Sequence, residues 1–83
     1  VILSVYPNPT KSTIELLASE DLDNHLIKLR LLRNTGQVIS EREGYWKILK
    51  GQVNNDLSDQ SAGIYLLSVK YGDKNKVFRV YKE

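Results

Sequence analysis

The chain contains no cysteine and no methionine, and histidine, tryptophan and phenylalanine each occur once in its 83 residues. The lack of cysteine excludes disulfide bridges and zinc sites built from thiolates, but it does not fix a cellular compartment. No stretch approaches the roughly 18 continuous apolar residues that a membrane-spanning helix requires. The sequence therefore predicts no transmembrane segment.

Chemistry-bearing motifs are also scarce. The net charge of +2 is too small to indicate nucleic-acid binding without a clustered basic face. The single histidine, His25, stands beside an acidic stretch with no nucleophile motif or glycine-rich phosphate loop near it, so we interpret it as a surface residue. Residues 20–24 and 54–56 carry oxygen ligands, but the spacing does not match a calcium loop, and solvated loops are the preferred interpretation. We expect no catalytic activity, cofactor or metal site.

The sequence does contain short segments in which apolar and polar residues alternate, as in half-buried strands. Segments 1–6 and 25–33 show this pattern, and in the second Ile27, Leu29 and Leu31 share one face. Residues 34–36 predict a hairpin turn, in which Gly36 suits the left-handed position, and residues 37–40 predict the returning strand. Residues 72–75 predict a second hairpin, followed by a final strand over 76–82 with Phe78 and Val80 buried.

Two regions are less regular. Residues 12–15 match a helix capping box, but Ile14, Leu16 and Ala18 also alternate as in a strand, and the strand-like neighbours favour that second interpretation. Residues 41–52 predict a further strand with loops at both ends, and residues 53–57 predict another short one.

A small-residue corner over 61–64 leads into Tyr65 and the apolar run behind it. In immunoglobulin-like sandwiches a tyrosine at the start of a strand bonds its hydroxyl back to the upstream backbone, and Tyr65 fits that device; it could otherwise be an ordinary inward-facing aromatic. About seven short strands with turn signals every 8–12 residues or so predict one all-β domain over residues 1–83, an immunoglobulin-like antiparallel β-sandwich.

Three separated blocks of this sequence occur together in one known family. They are Val5-Tyr6-Pro7-Asn8-Pro9, Asn34-Thr35-Gly36-Gln37-Val38, and Leu57 followed by Ala62-Gly63-Ile64-Tyr65-Leu66-Leu67, with a basic final strand behind them. In this order the blocks resemble the type A C-terminal sorting domain of the type IX secretion system of certain Gram-negative bacteria. The positions that match its motif are Tyr6, Pro7, Asn8, Pro9, Gly36, Gly63, Tyr65 and Lys82. Many members end on the basic residue, whereas Glu83 follows Lys82 here.

The resemblance implies a seven-stranded immunoglobulin-like sandwich that carries an upstream cargo from the periplasm through the outer membrane. Its partners would be the outer-membrane shuttle and translocon and a sortase-like peptidase that removes the domain. The cargo would then be secreted or held on the cell surface. Because the chain starts in mid-strand at Val1 without an initiator methionine, we expect a piece of a longer protein. The final strand, with Arg79 and Lys82 among its cations, is our candidate docking element.

Two other functions remain open from the sequence. A carbohydrate-binding or adhesive module could use Tyr45-Trp46 as a platform, although packing is the commoner role of a lone tryptophan. A structural spacer would have no partner at all.

Overall fold

The computed structural model describes residues 2–6, 13–18 and 25–83, which form six strands and one helix. The strands lie in two antiparallel sheets, a pair β1-β2 and a four-stranded sheet in the order β4-β3-β5-β6. This arrangement confirms the all-β, sandwich-like fold class. The elements are β1 Ile2–Tyr6, β2 Glu15–Ala18, β3 Leu26–Arg33, β4 Val38–Tyr45, α1 Trp46–Ser58, β5 Gly63–Tyr71 and β6 Lys74–Lys82.

Strand β3 is at the centre of the larger sheet and follows the alternation of its sequence. Ile27, Leu29 and Leu31 are each 1% exposed on the inner face, while the intervening Lys28 and Arg30 point the other way. The predicted hairpin joins it to β4, and the N–H of Gly36 donates to the carbonyl of Arg33 at 2.8 Å. Gly36 has a φ of +96°, a conformation that side-chain-bearing residues rarely adopt, as the sequence predicted.

The segment that could be read as either a helix or a strand forms strand β2. Its residues pair with β1 in antiparallel register, with Glu15 opposite Tyr6 and Leu16 opposite Val5. Ile14 and Leu16 are buried. An isolated helix of this length has little stability of its own, whereas the strand gains a partner and a buried face. The predicted proline turn and acidic loop, at 7–9 and 19–24, lie outside the described residues.

The strands predicted over 41–52 and 53–57 are wrong beyond Tyr45. Strand β4 continues to that residue, and α1 begins directly after it. The buried residues of α1 are Trp46, Leu49, Val53 and Leu57, spaced by three and four positions, so a helix places all four on one face where a strand would divide them between two. Gly44 lies against the helix, where a Cβ would meet a methyl carbon of Leu49 at 3.4 Å, an ordinary van der Waals distance.

The core forms between the four-stranded sheet, the β1-β2 pair and the helix. Val80 is buried as predicted, whereas Phe78 is only half-buried, and Tyr65, Leu67 and Val69 of β5 are buried beside them. The buried residues of every element except β4 join in one cluster, which comprises Val5, Ile14, Leu16, Ile27, Leu29, Leu31, Trp46, Leu49, Val53, Leu57, Tyr65, Leu67, Val69 and Val80.

Candidate functional site

The connection from α1 to β5 contains the predicted tyrosine corner. The ring of Tyr65 is buried at 4% exposure, and its hydroxyl donates a hydrogen bond to the carbonyl of Ser61 at 2.5 Å. Gly63, between them, has a φ of +156°, which a residue with a side chain adopts only with strain. The predicted hydrogen bond from the Tyr65 hydroxyl to the upstream backbone is therefore present.

Lys82 reaches the same place from the end of β6. Its ammonium donates to the backbone carbonyls of Leu57 at 2.8 Å and Ser58 at 3.0 Å, and also to that of Gln60. In the β5-β6 ladder Lys82 is the partner of Gly63. We call residues 57–65 together with Lys82 the α1–β5 corner. Three of the predicted motif residues, Gly63, Tyr65 and Lys82, therefore belong to one structural unit.

The remaining motif residues do not belong to the α1–β5 corner. Arg33 pairs with Tyr65 in the β3-β5 ladder, so the turn containing Gly36 lies at the same end of the sheet as the corner. Tyr6 ends β1 with 48% of its surface exposed. Pro7, Asn8 and Pro9 lie outside the described residues.

Polar side chains attach α1 to its neighbours. Arg42 on β4 makes a bidentate ion pair with Asp56, with N–O distances of 2.7 and 2.9 Å, and these bonds hold the pKa of the Asp56 carboxyl below its ordinary value. The amide of Asn54 accepts from the N–H of Ile14 at 2.8 Å and donates to its carbonyl at 3.3 Å. Of the three residues over 54–56 that carry oxygen ligands, Asn54 and Asp56 therefore make contacts that hold the helix in the fold.

Cations on the outer face of the sheet are partly neutralised. Glu41 on β4 accepts from both Lys28, at 3.1 Å, and Arg30, at 2.7 Å, and these bonds lower its pKa. Arg79 is exposed on the same face of β6, where a hydrogen bond with the Tyr81 side chain raises its pKa. Exposed apolar residues border Arg79 on this face, namely Ile64, Val77 and Tyr81.

The two-ring platform suggested by Tyr45-Trp46 does not form. Trp46 begins α1 and is 7% exposed in the core, whereas Tyr45 ends β4 with 43% exposure. The tryptophan has the packing role that was the preferred interpretation. His25 is exposed, as expected, and its ring contacts Tyr71 edge-on with centroids 5.0 Å apart.

Sequence reasoning did not find the partners of Lys82, because they are backbone carbonyls at the end of a helix that the sequence analysis did not predict. The spacing of Trp46, Leu49, Val53 and Leu57 was the signal that could have found the helix. Within the described ranges, no group of three or more His, Cys, Asp or Glu side chains could hold a metal ion. No helix in those ranges is long and apolar enough to cross a bilayer.

These features define a small two-sheet β domain in which three of the motif residues, Gly63, Tyr65 and Lys82, meet at one corner. A family model described as the secretion system C-terminal sorting domain matches residues 4–83, and the chain belongs to that family. Its members are C-terminal sorting signals for type IX secretion, are generally non-catalytic, and direct export to the cell surface or the medium. No curated protein and no solved structure shows significant similarity to the chain.

Proposed function

We propose that residues 1–83 are a single non-catalytic address domain for a cargo that precedes them on the same polypeptide. The cargo passes through the periplasm, meets the outer-membrane shuttle and translocon, and is separated from the domain by a sortase-like peptidase. Membership of the sorting-domain family supports this route. The motif residues Tyr6, Pro7, Asn8, Pro9, Gly36, Gly63, Tyr65, Arg79 and Lys82 belong to the signal in this proposal.

The observation that carries the proposal is the convergence of Gly63, Tyr65 and Lys82 on the α1–β5 corner. A signal that works on unrelated cargos has to reside in the domain itself. A corner fixed by hydrogen bonds presents the same shape whatever precedes it, and such preorganisation reduces the entropy lost on binding.

Strand β6 is the docking element in this proposal. Within the described residues it is hydrogen-bonded to β5 alone, so its other edge has no paired strand. An incoming strand could add to that edge, with attraction from Arg79, Lys74 and Lys76 guiding an acidic partner. Removing residues 79–83 would test this poorly, since it deletes the fully buried Val80 together with the docking surface.

A reporter fusion tests the proposal as a whole. A protein directed to the periplasm is fused in front of the 83-residue chain and expressed in a host with the type IX system and in the same host lacking its translocon. We expect the reporter at the surface or in the medium only in the first host, and in the periplasm of the second. Equal distributions in both hosts would contradict the proposal.

A charge reversal tests the docking surface. Arg79→Glu should reduce surface delivery several-fold, because Arg79 is an exposed cation on the outer face. The matched control is Lys47→Glu, which reverses the charge of an exposed cation that lies on α1 and not on the docking strand. Its delivery should match that of the unaltered fusion. Equal delivery by the two variants would remove Arg79 from the docking surface.

A further inference from the structure

The C-terminal end of α1 lacks a cation of its own. The last carbonyls of any helix have no intrahelical donor and carry the negative end of the helix dipole, so a nearby cation stabilises them. The last turn of α1 contains no basic residue. Backbone N–H groups provide part of what is missing, with Asp59 donating to Asn55 at 3.2 Å and Gln60 to Leu57 at 3.1 Å.

Lys82, far along the chain from α1, supplies the remaining hydrogen-bond donors and the cation at this end of the helix. A lysine ammonium has three N–H donors, and three carbonyls, those of Leu57, Ser58 and Gln60, accept from Lys82. The donor capacity of the ammonium is therefore fully used inside the domain. A residue engaged in this way is poorly suited to act as a docking cation, unlike the exposed Lys74 and Lys76 on the same strand.

We infer that Lys82 is a positioning residue of the sorting signal, a latch that joins the end of β6 to the end of α1. It acts beside the bond between Tyr65 and Ser61, so the connection from α1 to β5 is fixed from two sides. The latch holds the last residues of β6 in place and keeps Arg79 and Tyr81 at their positions on the outer face. This inference rests on the proposed sorting function.

Amine reactivity tests the latch directly in the unaltered chain. Brief treatment with an acetylating ester, followed by mass spectrometry, gives the relative rate of modification at each lysine. Lys82 should react several-fold more slowly than Lys74 and Lys76, which are the matched controls on the same strand, and the difference should vanish in denaturant. Equal rates in the native chain would overturn the inference.

Variants in the reporter fusion then connect the latch to export. Lys82→Met keeps the aliphatic stem but removes the donors. It should speed hydrogen exchange at the amides of Asp59 and Gln60, which donate at the end of α1, and reduce export roughly tenfold. Lys82→Arg should restore most of both, because a guanidinium can also donate to converging carbonyls. The control is Arg42→Met, which weakens the attachment of α1 to β4 but leaves the corner intact, and should export normally.

The outcomes separate the two proposals. If Lys82→Met loses export while its exchange protection is unchanged, Lys82 is a direct contact and the latch is refuted, although the sorting function stands. Normal export by Lys82→Met, or equal loss by Arg42→Met at matched stability, also refutes the latch. If the unaltered fusion is not exported, the sorting function itself fails, while the acetylation rates still decide whether the ammonium is held. Should Lys82→Met not fold, the acetylation rate of Lys82 in the unaltered chain decides in its place.

Discussion

Removal of the Tyr65 hydroxyl isolates the contribution of the corner to stability. The ring is 4% exposed and packs in the core, and phenylalanine would preserve that packing while it deletes the bond to the Ser61 carbonyl. A typical intramolecular hydrogen bond contributes a net of about 1 kcal/mol. Ser61 itself is exposed, so water can reach the abandoned carbonyl and limit the penalty. We expect Tyr65→Phe to lower the free energy of unfolding by about 0.5–1.5 kcal/mol.

Urea unfolding of the 83-residue chain measures this change. With a slope of about 1 kcal/mol per molar urea for a small domain, the midpoint should fall by roughly 0.5–1.5 M at unchanged slope. The melting temperature should fall by about 4–8 °C for each kcal/mol. An unchanged slope matters because it shows that the variant exposes the same surface on unfolding.

The control is Tyr45→Phe, which removes a hydroxyl from a side chain that is 43% exposed. Its free energy of unfolding should change by less than about 0.5 kcal/mol, as is usual for surface substitutions. If Tyr65→Phe is as stable as this control, the corner bond contributes nothing and Tyr65 is only a packed ring.

Three further changes test the attachment of α1 and the corner. Asn54→Ala leaves a backbone N–H and carbonyl without their partner and should cost about 1–3 kcal/mol in urea unfolding, whereas exposed Asn55→Ala should cost less than about 0.5 kcal/mol. Asp56 has a lowered pKa, so the stability from its pair with Arg42 is present above its ordinary value of about 3.8 and is lost as the pH falls through the lower folded value. Asp56→Asn should therefore lose about 1 kcal/mol at neutral pH and less at about pH 2–3; an equal loss at both would contradict the pair. Gly63→Ala should lower the free energy of unfolding by about 1–2 kcal/mol, because a side chain is strained at the positive φ of residue 63. The melting temperature should fall accordingly, and an unchanged melting temperature would refute strain there.

Local patterns predicted those elements whose structure is decided locally. The alternation in β3 and the glycine of its hairpin both appear where the sequence indicated, and so does Tyr65 at its corner. Helix α1 was missed because its N-terminus has no side-chain cap and Gly51 lowers the helix propensity of its middle, so packing against the sheet stabilises it more than its own propensity does. The carbonyls that accept from Lys82 lie at the end of that helix, so they could not be predicted without predicting the helix.

The attachments of α1 have a consequence for the order in which the domain is completed. They include contacts from Ile14 and Glu15 around the start of β2, from Arg42 on β4 and from Lys82 at the end of β6. A ribosome delivers these residues in sequence, so the end of α1 waits for its cation until β6 has been made. A chain interrupted before residue 82 would present an open helix end, whereas a chain that includes Lys82 presents a closed one. The shape of the α1–β5 corner therefore depends on whether the end of β6 has been synthesised.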